Sequence, residues 1–128
     1  MQEMNLFEYA VIRIVPRVER EEFLNVGVIL YCSKQKFLET KSHLNESRLK
    51  AFCSDSVDID ELEENLSAFG KISLGGKGGG PIGELDMASR FRWLTATRST
   101  VLQTSKVHPG FCIDPAEKLE RLYSELVL

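Results

Sequence analysis

The sequence predicts an α+β fold: a mainly antiparallel sheet of about four strands, packed by helices on one face. Three observations predict it. Alternating β-rich runs crowd residues 7–41. Capped helical patterns follow them and also close the chain. One further β-rich run lies between those helices. At 128 residues and 43% hydrophobic, the chain suits one domain, 1–128, with a core of its own.

FEYAVIRIV (7–15) alternates, with Ala10, Ile12 and Ile14 on one face and Tyr9, Val11, Arg13 and Val15 on the other. Pro16 stops it. FLNVGVILYC (23–32) is a second strand, and KFLETK (36–41) returns from a short turn as the third, making a hairpin. Asn45 is placed to cap a short helix holding Leu49, Phe52 and Cys53. Asp58 with Glu61 has the form of a capping box, and Leu62, Leu66 and Phe69 behind it make one apolar stripe. Gly70 is expected to stop that helix. GGKGGGPIG (75–83) reads as a mobile loop, because ordering a glycine run costs much backbone entropy. Residues 42–79 thus form a peripheral helical insert ending in the Gly-rich loop. Asp86 caps a short helix through Met87, Phe91 and Leu94, and 99–105 reads as the fourth strand. Asp114, Pro115 and Glu117 start a closing helix, whose apolar face holds Leu119, Leu122, Tyr123 and Leu126.

Several function classes lack support. No apolar run approaches the roughly 20 residues of a membrane span. The N-terminus has no basic region ahead of an apolar one, so a cytoplasmic protein is expected. Cys32, Cys53 and Cys112 have no CxxC spacing and read as small buried hydrophobes. The acidic run from Asp55 to Glu64 suits a helix start better than a metal site, and the Gly-rich stretch lacks the order of a phosphate loop. No cofactor motif and no nucleophile–base set appears.

Charge is unevenly spread. Residues 39–70 carry eight acids and three bases, and residues 71–112 six bases and two acids. Such asymmetry suits an anion site, and equally two segments packed against each other. RFRWLTATRSTVLQTSKVHPG (90–110) has three arginines, many hydroxyls and no acid. Guanidinium and hydroxyl groups favour phosphate or carboxylate oxygens. The anion-binding candidates there are Arg90, Arg92, Arg98, Ser99, Thr100 and His108, the last in a turn before Pro109. In the second strand, alternation sets Leu24, Val26, Val28 and Leu30 against Phe23, Asn25, Gly27, Ile29 and Tyr31. Asn25 and Gly27 then form a notch, and pairing parity brings Arg13 to it. Arg13 needs a partner there, either a carboxylate such as Glu22 or a bound anion.

Three stretches, YAVIRIVPRVEREEFLNVGVIL, GPIGELDMASRFRWLTATRST and VHPGFCIDPAEKLERLYSELV, resemble the bacterial domain-of-unknown-function family numbered 3037. The resemblance runs from Tyr9 to Val127. It rests on Arg13, Pro16, Glu22, Asn25 and Gly27, then on Arg90, Phe91, Arg92, Trp93, Leu94, Arg98, Ser99, Thr100, His108, Gly110, Asp114 and Pro115. Thr97 and Pro109 depart from the family pattern, and residues 42–79 match least. The family name carries no activity. The resemblance implies a short cytosolic bacterial protein encoded beside a HipA-like kinase homologue, hence a protein partner. Two functions follow as expectations. One is a non-enzymatic binding or partner protein. The other is a protein for phosphate, nucleotide or nucleic acid, with or without hydrolytic activity, in which Arg13, Asn25, Arg98, Ser99 and His108 converge.

Overall fold

The computed structural model describes residues 4–16, 22–53, 58–96 and 101–128. Among them the chain forms β1 (Asn5–Ile14), β2 (Leu24–Cys32), β3 (Phe37–Ser42), α1 (Glu46–Cys53) and α2 (Ile59–Leu74). A 3-10 turn (Lys77–Gly79), α3 (Gly80–Gly83), α4 (Met87–Leu94), β4 (Leu102–Thr104), β5 (His108–Cys112) and α5 (Pro115–Leu126) follow. The class is the α+β class the sequence predicts, but the sheet has five strands and helices on both faces.

The sheet order is β3-β2-β1-β4, every pair antiparallel, and β5 also pairs with β1. β4 lies along the second half of β1 (Ile12 opposite Thr104) and β5 along the first half (Tyr9 opposite His108). Three steps on β1 therefore face four on the other chain, so one residue is extra. Ser105 fills the break: its N–H donates to the Val11 carbonyl at 2.8 Å, and its Oγ accepts from the Val11 N–H at 2.8 Å.

Strand alternation builds two cores. Ala10, Ile12, Ile14, Val26 and Ile29 face Leu49 of α1, Leu62, Leu66, Phe69 and Ile72 of α2, and Phe91 and Leu94 of α4. Phe7, Val28, Leu30, Cys32 and Cys112 face Leu119, Leu122 and Tyr123 of α5, and Val127 just after it, on the opposite side. A sheet covered twice explains why so much of β1 and β2 is buried. The segment expected to be a peripheral insert is thus central: α2 supplies four side chains of the first core.

Two helix ends depart from expectation. Asp58 does cap α2, accepting the Glu61 N–H at 3.2 Å. The helix then runs through Gly70 to Leu74 and stops at Gly75, whose φ of 82° only glycine adopts at ease. Packing of Ile72 beyond Gly70 outweighs the glycine's weak stop signal. A Cβ at Gly70 would meet nothing within 4 Å. Gly70→Ala is therefore expected to stabilise the protein by about 0.5–1 kcal/mol, read as a higher urea midpoint. The glycine-rich stretch, expected as a mobile loop, folds into the 3-10 turn and α3, closed by the Gly76 N–H donating to the Gly83 carbonyl at 2.7 Å.

Candidate functional site

The side chains nominated by sequence separate into distinct places. Arg13 and Asn25 meet. Ile12 stands opposite Gly27 while Arg13 stands opposite Asn25, so Val26 is an extra residue in β2. This bulge reverses the facing pattern within one strand. Val26 joins the first core with Ile12 and Ile14, whereas Asn25 turns to α5, as do Val28 and Leu30 beyond the bulge. The expected faces of β2 are corrected accordingly: Asn25 and Gly27 do not share a notch. Simple alternation cannot foresee an inserted residue.

Asn25 donates its Nδ2 to the Leu126 carbonyl at 3.0 Å, which holds the C-terminal end of α5 to the sheet. Arg48 holds the next residue, its Nη1 donating to the Val127 carbonyl at 3.2 Å. The guanidinium carbon of Arg13 lies 4.1 Å from the centre of the Phe23 ring. Two buried polar atoms in this corner, Arg13 Nε and Asn25 Oδ1, have no hydrogen-bond partner among the described residues. One is a donor and the other an acceptor, and each unmet group costs on the order of 1–3 kcal/mol. Beside Asn25 is a small cavity of about 50 Å³, lined also by His43, Asn45, Arg48 and Val127.

Gly27 faces the first core, where β3 presses on it. A Cβ there would lie 2.8 Å from both the Lys41 carbonyl oxygen and the Ser42 Cβ. Its role is close strand packing.

Arg90 is buried and belongs to the architecture. Its Nη1 donates to the carbonyls of Ile72 (2.9 Å) and Ser73 (2.7 Å), and its Nε to that of Leu85 (3.0 Å). It caps the C-terminal end of α2, where carbonyls lack helical partners and positive charge suits the dipole. Arg92 is exposed on α4. Arg98, Ser99 and Thr100 lie outside the described residues.

His108 stands in β5, not in a turn, with its ring centre 5.3 Å from that of Tyr9. Proline at 109 signals a turn, yet an edge strand tolerates proline where its nitrogen faces outward. Tyr9 and Arg13 share a face of β1, but they stand four positions apart along the strand, about 13 Å. His108 and the Arg13–Asn25 corner therefore do not touch.

One surface was missed at the level of sequence. Where β5 lies against the start of β1, Phe111 stands opposite Leu6. Met4 and Ile113 extend the same face by alternation. These side chains are 64%, 54%, 55% and 49% exposed respectively. Among the described residues no helix covers this corner, and a shallow groove of about 360 Å³ lined by Leu6, Glu8, Tyr31 and Lys34 borders it. The alternation in VHPGFCI carried the signal, masked by reading His108–Gly110 as a turn.

Cys32 and Cys112 are free thiols, buried in the second core. Burial pushes the Cys112 thiol up, with the neighbouring Cys32 adding to it. In a Cys53→Ser background, both are expected to resist an aromatic disulfide reagent until the protein is unfolded by urea; prompt labelling of the native protein would contradict this burial. Among the described residues, no group of three or more His, Cys, Asp or Glu could hold a metal ion, and no helix is long and apolar enough to cross a membrane.

The fold and these surfaces define a small α+β scaffold with a polar corner at Arg13 and Asn25 and an exposed apolar one at Leu6 and Phe111. No curated protein and no solved structure matches the chain. A family described as protein of unknown function (DUF3037) matches residues 9–127, and the chain belongs to that family.

Proposed function

We propose that this is a bacterial, cytoplasmic binding protein without catalysis of its own, acting through a protein contact at the corner formed by Met4, Leu6, Phe111 and Ile113. The observation that carries this reading is the exposure of four large apolar side chains on one sheet face. Single exposed apolar residues are ordinary, but a contiguous group signals an interaction site. The HipA-like kinase homologue implied by the sequence resemblance is the heterologous candidate. Titration of that purified homologue by calorimetry tests the reading. Binding should weaken about a hundredfold in Phe111→Glu, a charge placed at the centre of an apolar contact. Equal binding by this variant and the wild type would refute it.

A second reading rests on the orphaned Arg13 Nε and Asn25 Oδ1. A ligand offering both an acceptor and a donor satisfies them together, such as a protonated phosphate or the edge of a nucleobase. A bare carboxylate would meet the Asn25 oxygen unfavourably. In a thermal-shift screen at low salt, a nucleotide at 100 times its dissociation constant should stabilise the wild type by about 2.7 kcal/mol. The shift should vanish in Asn25→Asp, which replaces the amide. A flat screen would return Arg13 to a structural role.

A further inference from the structure

The outer edge of β5 has a hydrogen-bonding phase that can be read from β1. The Val11 and Val15 N–H groups, and the Val11 carbonyl, bond toward the β4–β5 side. Odd-numbered β1 residues therefore point their backbone groups at β4 and β5. Their partners Cys112, Gly110 and His108 point inward. The residues between them, Pro109 and Phe111, point their backbone groups outward, and no described strand pairs with that edge. Pro109 has no N–H to offer. Within β5, Phe111 alone presents both a donor and an acceptor to the outside.

We propose that this edge pairs with β5 of a second copy of the chain, antiparallel, about a two-fold axis at Phe111. The inference rests on reading the corner as a contact surface and names its occupant. At that axis each Phe111 N–H donates to the carbonyl of the other Phe111. Any register that sets Phe111 opposite Pro109 loses a donor. The two-fold operation also brings the apolar corners together on one face, Leu6, Phe111 and Ile113 from each copy, as an isologous interface requires. Charge agrees with the same geometry. Lys106 lies on one side of Phe111, and Asp114 and Glu117 on the other, all exposed. Antiparallel pairing sets the basic end of one copy against the acidic end of its mate. Pro109 and Lys106, residues that discourage open-ended edge association, confine pairing to this one short register.

Light scattering of the purified full chain over a range of concentrations tests the proposal, with amide exchange as the second readout. The mass should rise from one chain to two, and the Phe111 amide should gain protection as it does so while Gly110 stays protected throughout. Lys106→Glu should weaken the dimer about tenfold, and adding Glu117→Lys to it should restore the association. Phe111→Glu should leave a folded monomer by circular dichroism. A single-chain mass at every concentration, or a dimer indifferent to both Lys106→Glu and Phe111→Glu, would overturn self-pairing. A monomer that still binds the kinase-like homologue through Phe111 overturns the dimer and leaves the proposed function standing. A dimer that binds no such homologue supports the pairing and removes that homologue as partner.

Discussion

Arg90→Ala is expected to destabilise the protein by about 3 kcal/mol. The guanidinium makes three hydrogen bonds to carbonyls of Ile72, Ser73 and Leu85. Each is charge-assisted, worth about 1.5–3 kcal/mol, and they do not add because they share one side chain. Removing it leaves the C-terminal carbonyls of α2 without that donor at a partly buried helix end. Gly75 fits the same design: a Cβ there would lie 2.7 Å from Nη1, so the turn leaves room for the arginine. Arg90→Lys should recover less than half of the loss, since one ammonium cannot reproduce the planar fork. Urea denaturation with an unchanged slope is the measurement. A loss below about 1 kcal/mol would show that water serves those carbonyls as well.

Gly27→Ala is expected to destabilise by about 2–3 kcal/mol, through overpacking rather than through a lost ligand. The new methyl would stand 2.8 Å from a backbone oxygen of β3, a neighbour that cannot swing aside as a side-chain tip can. β2 sits between β1 and β3 at this point, with Ile12 on one side and Ser42 on the other. Relief therefore requires separating strands. Thermal unfolding should show a fall in midpoint. The discriminating comparison is with the nucleotide screen: a Gly27→Ala protein that keeps its midpoint but loses a ligand response would assign Gly27 to a binding site after all.

Features with a local signal and a local cause are legible in the sequence. Asp58 and Asp114 cap their helices because a short acceptor precedes an apolar stripe, and each accepts from the N–H the motif predicts. The β2–β3 hairpin follows from two alternating runs and a polar turn. Failure begins where the cause is distant. The Arg90 carbonyl contacts lie 17 and 18 residues away for α2, a separation that no motif records. The bulge at Val26 depends on how β1 and β2 close, so Asn25 and Gly27 look alike in sequence and face opposite cores. The second helical layer was illegible because α5 is amphipathic in the same way whichever face of the sheet it covers. Among the described residues of the nominated set, Arg13 and Asn25 meet, as parity predicts on the Asn25 side of the bulge; beyond it the facing is reversed, and Val28 lies away from Ile12.

The position of β1 at the centre of the sheet has a consequence for the order in which the protein can be made. Its first neighbour, β2, follows closely along the chain. The neighbours on its other edge, β4 and β5, come last but for α5, some 90 residues later, as with the Ser105 contact to Val11. During synthesis most of the first core can assemble from β1 to α4, lacking only Leu102 of β4, whereas Val28, Leu30 and Cys32 wait uncovered for α5. Closure of such distant pairs is slow, and the waiting surface is a natural client for a chaperone. Nascent chains halted before Cys112 should therefore hold the α2 core and bind a hydrophobic dye at the opposite face of the sheet.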